Sequence, residues 1–217
     1  MTLLEACRGS ALRIQGGKTW LRALSRADIG PRYLGWLNDP EINEFTSRRD
    51  RTYVTEDLFA YLDSANASDD RLLLGIFTND DDMHVGNVLL HILDADAGVA
   101  DISNLIGERE YWGRGIIADA DSQAIHFGFQ ALGLAKFVMG NIAPHRASTF
   151  KSTSLGAKLE AKLRGQAMFR DQRVDVLRFG VFPDEFYEAH PDLRDRVTWT
   201  PAVTPSSDSP SIAKRAD

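Results

Sequence analysis

The chain contains only one cysteine, Cys7, among its 217 residues. A single thiol excludes an internal disulfide and a cysteine-based metal site, and this usage is typical of a reducing compartment. No apolar run approaches the ~20 residues that a membrane-spanning helix needs, and Met1 to Gly17 lacks the apolar core of a signal peptide. The sequence therefore predicts a cytoplasmic protein without a membrane attachment.

Positive charge is also scarce. The chain has 25 lysines and arginines against 31 aspartates and glutamates, for a net charge of −6, which argues against general nucleic-acid binding. No spacing of histidines and carboxylates indicates a metal site. The acidic run at 79–82 lacks the later ligands of a calcium-binding EF-hand loop, so we expect it to be a solvated turn.

Strands and helices are predicted in an irregular order within one domain at residues 18–190. Residues 1–17 form a poorly patterned leader, and the tail at 191–217 is rich in serine, proline and alanine, so we expect disorder from about residue 200. Strands are predicted at 19–24, 72–78, 85–93, 99–106, 136–140, 158–164, 166–169 and 175–182, and helices at 29–38, 56–64, 115–132 and 148–155. This α+β order differs from the regular alternation of a Rossmann sheet.

The most informative segment runs from Glu110 to Ala120, between the strand at 99–106 and the helix that follows it. Gly113 and Gly115 allow backbone N–H groups to approach an anion closely, and the first turn of the helix adds unpaired N–H groups and a partial positive charge. Arg114 contributes a full charge beside them. We therefore interpret this segment as the pyrophosphate site of a nucleotide cofactor.

Four segments, at 33–41, 85–88, 106–116 and 173–186, follow one another along the chain. Together they resemble the GNAT superfamily of acyl-CoA-dependent N-acyltransferases. The resemblance implies a mixed, mostly antiparallel central sheet that is flanked by helices and splayed at the acyl-CoA site. It also implies acetyl-CoA as the co-substrate, with no metal.

The resemblance also assigns cofactor-binding residues. It places Trp112, Gly113, Arg114, Gly115 and Ile116 at the pyrophosphate, Asn104, Leu105 and Ile106 at the pantetheine amides, and His145 and Ser148 in a second cofactor segment. Five positions depart from the family pattern. Glu110 replaces a glutamine or arginine, and Ser152 stands where a tyrosine general acid is frequent. In the second cofactor segment His145 replaces an asparagine, Ser154 a lysine and Ala157 a phenylalanine. Proton donation to the leaving thiolate therefore cannot be assigned by resemblance.

Asp101 is the candidate for the group that accepts a proton from the attacking amine or orients it. It occupies a strand position where related proteins often carry a glutamate. The alternative is an ordinary carboxylate on the strand face. His84 and His91 lie on the predicted hairpin near the substrate cleft, where a structural role is the alternative for both.

The acceptor site is predicted around the first short helices. Tyr33, Trp36, Asn38 and His84 are the candidate substrate-binding residues, with core packing or helix capping as the alternative. A basic cluster of Arg48, Arg49 and Arg51 would suit the diphosphate of a nucleotide-linked substrate.

The sequence thus predicts an N-acetyltransferase that moves an acetyl group directly to a small-molecule amine in a ternary complex. An amino sugar or a nucleotide-linked amino sugar is the expected acceptor. Two alternatives stay open: a protein N-terminal acetyltransferase of the ribosomal-protein type, and a non-catalytic acyl-CoA sensor. Exposed strands also leave a homodimer open.

Overall fold

The computed structural model describes residues 3–9, 12–46 and 49–200. The strands are β1 Arg13–Gln15, β2 Thr19–Ala23, β3 Arg71–Thr78, β4 His84–Asp94, β5 Val99–Ile106, β6 Lys136–Ile142, β7 Lys158–Phe169, β8 Gln172–Val181 and β9 Trp199–Thr200. The helices are α1 Leu3–Gly9, α2 Pro31–Asn38, α3 Thr55–Ala67, α4 Ile116–Gln130, α5 Arg146–Ser154 and α6 Pro183–Ala189.

All nine strands form one sheet in the order β7-β8-β6-β5-β4-β3-β2-β1-β9. Every pairing is antiparallel except that of β5 with β6, which is parallel. The parallel pairing lasts only from Val99 opposite Lys136 to Asp101 opposite Val138, after which the two strands separate. We call the gap between them the splay.

Local sequence signals explain where several elements begin and end. Pro31 opens α2, a position where its missing N–H is not needed. The Asp57 carboxylate accepts the Val54 N–H at 3.0 Å and caps α3. The Ser25 N–H donates to Asp28 at 2.8 Å and forms a capping box at the short turn after β2. Gly133 adopts a φ of +67° just after α4 and ends it.

Hydrophobic residues are buried on both faces of the sheet. On one face, α4 packs through the small side chains of Ala120 and Ala124 and the fully buried Phe127. On the other face, α2 and α3 cover the sheet through a second cluster that includes Leu58 and Leu62. The splay therefore lies between two packed layers, with α4 and α5 beside it. No helix among the described residues combines the length and the apolar character needed to cross a membrane.

The structure corrects the prediction at both ends of the chain. The expected leader contains α1 and β1, and Leu4, Cys7 and Ile14 are buried in the core. These elements are too short to show a periodic pattern. At the other end, β9 pairs with β1 and Trp199 is buried, while the predicted disorder at 201–217 lies outside the described residues.

Smaller differences affect the last third of the chain. The two strands predicted at 158–164 and 166–169 form the single strand β7, which is irregular between Leu163 and Ala167. Helix α6 was not predicted.

The acidic run at 79–82 lies in the turn between β3 and β4, as expected.

Candidate functional site

The glycine-spaced segment after β5 has the backbone geometry of an anion site. Gly113 and Gly115 adopt φ angles of +73° and +77°, which favour glycine, and Gly115 is the N-cap of α4. The first N–H groups of α4 have no partner within the helix, and its dipole adds partial positive charge. Arg114 is exposed beside them. We call residues 113–116 the phosphate loop.

A second cation that was not predicted lies against the phosphate loop. The Lys18 ammonium donates to the backbone oxygen of Arg114 at 2.6 Å. The Asp119 carboxylate, in the first turns of α4, accepts the N–H groups of Gly17 and Lys18 at 3.0 Å and of Thr19 at 2.9 Å. The carboxylate thus pins the β1–β2 turn to the start of α4. A lysine after two glycines was the sequence signal that could have indicated this position.

Beyond Asp101, the edge of β5 that faces the splay has no pairing to β6. Two of the predicted cofactor residues on or near this edge already have hydrogen-bond partners within the protein. The Asn104 amide donates to Asp121 of α4 at 2.7 Å, and the Trp112 indole donates to the Ile106 carbonyl at 3.1 Å. The backbone between Asp101 and Ile106 is therefore the part of this edge that is available to the pantetheine amides.

Helix α5 forms the other side of the splay. His145 is its N-cap, and burial, followed by the nearby Lys151 charge, lowers the pKa of the imidazole. The Ser152 hydroxyl is buried and donates to the Ser148 carbonyl at 3.0 Å. The hydroxyl that stands at the position of the family's tyrosine is therefore engaged within the helix.

Asp101 lies at the point where the splay opens, in the last rung that joins β5 to β6. Burial raises the pKa of its carboxyl, and the charges of Arg178, His91 and Lys151 partly offset that rise. His91 stands opposite Asp101 on β4, and its Nε2 is 3.3 Å from Asp70. His91 therefore adjoins Asp101 across the sheet and contacts Asp70, which precedes β3.

The four predicted acceptor residues have partners within the protein. Tyr33 and Trp36 are each 4% exposed, and the Tyr33 hydroxyl accepts the Asn87 amide at 2.7 Å. Asn38 bonds both backbone groups of Tyr53, at 2.9 and 2.8 Å. These contacts favour the structural alternative for Tyr33 and Asn38.

Trp36 of α2 and His84 at the start of β4 pack against each other. Burial lowers the pKa of His84 to about 4, so the ring is neutral at physiological pH and packs 5.1 Å from the Trp36 ring. The Trp36 indole donates to Glu108 at 3.0 Å. Of these two residues only Trp36 lines a cleft of about 440 Å³, which also includes Asp39 and Arg109.

An aromatic wall that was not predicted stands beside the splay. The Phe45 ring stacks on His145 at 4.3 Å between centroids and on Phe169 at 5.3 Å. Arg49 and Arg170 lie 5.7 and 5.2 Å from the Phe169 ring. The wall joins the α2–α3 loop, the start of α5 and the tip of the β7–β8 hairpin. We call Phe45, His145 and Phe169 the aromatic wall.

The predicted basic cluster is divided. Arg49 reaches the aromatic wall, and it donates to the Met168 carbonyl at 2.8 Å. Arg51 instead lies 3.4 Å from Asp57 at the start of α3. Arg48 lies outside the described residues.

A further arginine, Arg178, lies close enough to Asp101 for its charge to offset part of the rise in the pKa of that carboxyl. Arg178 of β8 is exposed and extends over Gly140 of β6, so closely that a Cβ at Gly140 would meet the guanidinium at 2.7 Å. Among the described residues, Arg178 makes no ion pair or hydrogen bond. Its guanidinium is therefore available to an anionic group of a substrate next to Asp101.

Comparison with known proteins identifies the family. The sequence profile described as "Acetyltransferase (GNAT) domain" matches residues 18–158, which is more than half of the chain. The chain belongs to the GNAT acetyltransferase family. Within the described residues, no group of three or more histidines, cysteines or carboxylates could hold a metal ion.

Relatives of this GNAT chain agree with that assignment. The "Uncharacterized N-acetyltransferase p20" of Bacillus licheniformis is 24% identical over 166 residues, covering 75% of this chain and 90% of the relative. A GNAT acetyltransferase from Bacillus anthracis superposes with a TM-score of 0.69 at 12% identity, covering 79% and 99% of the two chains. Vibrio cholerae spermidine N-acetyltransferase, solved with CoA and spermine, gives 0.70 at 17% identity, covering 77% and 97%.

GNAT-fold acetyltransferases use acetyl-CoA, and the site fits such a co-substrate. The phosphate loop and Lys18 supply backbone N–H groups and positive charge for a pyrophosphate. The open edge of β5 supplies backbone groups for amide pairing, and the splay leads from there to Asp101. The predicted fold and enzyme class are confirmed.

Proposed function

We propose that this GNAT enzyme acetylates the primary amine of an amino sugar that is linked to a nucleotide. The observation that carries the proposal is the aromatic wall, together with the free guanidinium of Arg178 beside Asp101. An aromatic face suits a planar base or a sugar ring, and guanidinium groups suit phosphates. Arg49 also lies against the wall, whereas the charge of Arg170 is paired with Glu44.

In the proposed reaction, Asp101 accepts the proton of the attacking amine. The amine nitrogen bonds to the thioester carbon, the C–S bond breaks, and the sulfur leaves with the bonding electron pair. The proton passes from Asp101 towards His91 and solvent. Because Cys7 is buried and burial raises the pKa of its thiol to about 12, no described cysteine is suited to carry the acetyl group, which supports direct transfer.

The charges around Asp101 weigh against a polyamine acceptor. Arg178 and Lys151 both contribute positive charge at Asp101, and they would repel a polycation. The likeness to a spermidine N-acetyltransferase lies at 17% identity and concerns the fold. A small acceptor with one amine and a negatively charged carrier fits these charges better.

The contacts of the β7–β8 hairpin weigh against an extended peptide. Arg170 at the hairpin tip pairs with Glu44 of the α2–α3 loop, and Phe169 stacks on Phe45 of the same loop. These contacts tie the hairpin to the loop beside the aromatic wall, whereas a protein N-terminus needs an open groove with unpaired backbone groups.

Thiol release from acetyl-CoA with parallel acceptor panels tests the proposal. The panels are nucleotide-linked amino sugars, free amino sugars, spermidine and short peptides with free N-termini. We expect kcat/KM for a linked amino sugar to exceed that for its free sugar at least about tenfold, since a charged hydrogen bond contributes about 1.5–3 kcal/mol.

The variant Arg178→Gln is expected to lose that preference, while Arg196→Gln, a surface control near the C-terminal end, keeps it. Turnover of peptides or spermidine alone would contradict the acceptor. Acetyl-CoA binding without turnover on any panel would favour the sensor alternative.

A further inference from the structure

The splay contains a buried ion pair that the proposed proton transfer does not use. The Lys151 ammonium of α5 lies 2.8 Å from Asp121 Oδ2 of α4, and the two side chains are 12% and 0% exposed. Asn104 of β5 donates to the same oxygen at 2.7 Å. Three elements that border the splay thus meet at one carboxylate.

Fold stability does not account for this arrangement. Removing two charges from water costs free energy that their attraction often fails to recover, so apolar residues of similar size would pack at least as well. The second carboxylate oxygen, Asp121 Oδ1, is also buried without a hydrogen-bond partner, which adds a further cost. The result of the arrangement is an ammonium group held in the splay.

The charge of Lys151 acts on groups on both sides of the splay. It offsets part of the rise that burial causes in the pKa of Asp101 on β5, and it adds to the lowering that burial causes in the pKa of His145 at the start of α5. The usual proton donors are not there: the Ser152 hydroxyl is engaged with Ser148, and none of the five tyrosines belongs to β5, β6, α4 or α5. Lys151 is the cation that these four elements enclose most deeply.

We propose that Lys151 is the counter-ion of the CoA thiolate and that Asp121 positions it. This rests on the acetyl-CoA chemistry of the proposed function and is independent of the acceptor. When the C–S bond breaks, the electron pair stays on sulfur and Lys151, which keeps its own protons, stabilises the resulting negative charge. The proton of the amine goes to Asp101, and the thiolate later takes a proton from water while Asp101 releases one. Ion pairing is preferred to proton transfer because an ammonium is ordinarily a weaker acid than a thiol.

The test is a pH titration of the thiol of CoA bound to the full-length protein. Thiolate formation is followed by ultraviolet absorbance, and the complex with desulfo-CoA, which lacks the thiol, serves as the blank that removes the contribution of Cys7. We expect the bound thiol to ionise about tenfold more readily than that of free CoA. Lys151→Met should abolish this gain and Lys151→Arg should retain it.

Activity provides a second readout once an acceptor is known. We expect Lys151→Met to lower kcat about 100-fold, the magnitude that loss of one charge-stabilising group typically has, with KM for acetyl-CoA nearly unchanged. Asp121→Asn, which releases the ammonium from its tether, should fall between wild type and Lys151→Met in the titration. Bound CoA that ionises like free CoA in the wild type would overturn the proposal, as would an unchanged titration in Lys151→Met. Failure of every amino-sugar acceptor would leave the titration result intact.

Discussion

Acidification should destabilise the fold through His84. The ring is 7% exposed and is surrounded by Tyr33, Trp36 and Phe77 at centroid distances of 5.9, 5.1 and 4.9 Å. Its Nε2 is buried without a partner. Burial lowers the pKa from 6.5 to about 4, because the charged imidazolium would lose its hydration there.

The sign and the size of the effect follow from proton binding. Below pH 6.5 the unfolded chain binds a proton at His84 that the folded chain binds only near pH 4. The free energy of unfolding therefore falls as the pH decreases between these values, by about 1.4 kcal/mol per pH unit, or about 3 kcal/mol in total.

Urea denaturation at pH 7, 6, 5 and 4.5 measures this loss, with His84→Gln compared with wild type at each pH. Other groups that titrate in this range contribute equally to both proteins, so the difference isolates His84. A difference between wild type and His84→Gln that stays constant with pH would refute the reasoning.

Three further predictions concern the site and its frame. Asp101→Asn should lower kcat/KM about 10²–10⁴-fold. In the wild type the rate should rise with pH as Asp101, whose pKa is raised, loses its proton, and the variant should lack this rise. An unchanged pH–rate profile would remove Asp101 as the base. Lys18→Ala should weaken acetyl-CoA binding in calorimetry, most strongly at low salt, whereas Lys162→Ala on the β7–β8 hairpin should not. Gly107→Ala should lower the free energy of unfolding by about 1–3 kcal/mol, because its Cβ would overlap the Trp36 ring; an unchanged urea midpoint would contradict this.

Features with a local signal were predicted well. The strand at 99–106 was predicted with its exact bounds, and α4 was predicted within about two residues at each end. Gly113 and Gly115 have the positive φ angles that a close approach to an anion uses. Periodicity, glycines and helix starts depend on neighbouring residues, so they can be read from the sequence.

Features that depend on distant contacts were missed. Gly17 meets Asp119 across 102 residues, and Arg170 meets Glu44 across 126. Such contacts leave no periodic trace, so the aromatic wall could not be predicted, and the lysine after two glycines was the only local signal for Lys18. Helix α1 and strand β1 were missed because seven and three residues are too short for a pattern.

The acceptor residues illustrate the same limit. Tyr33 and Asn38 belong to a segment that resembles the family, but resemblance does not show which side chains face the substrate. The structure buries Tyr33 and uses Asn38 to hold the backbone of Tyr53. Arg178 lies in the family-like segment at 173–186 and Phe45 follows the first one, but no local pattern marked either side chain as part of the site.

The central claim is that this GNAT enzyme transfers acetyl directly to the amine of a nucleotide-linked amino sugar. The most direct measurement is mass spectrometry and NMR of the product formed from isotopically labelled acetyl-CoA, wild-type protein and that acceptor. The account predicts one labelled acetyl group in an amide bond on the sugar nitrogen, and its loss in Asp101→Asn. Label on a peptide N-terminus in place of the sugar, or on the protein as a stable acyl intermediate, would contradict it.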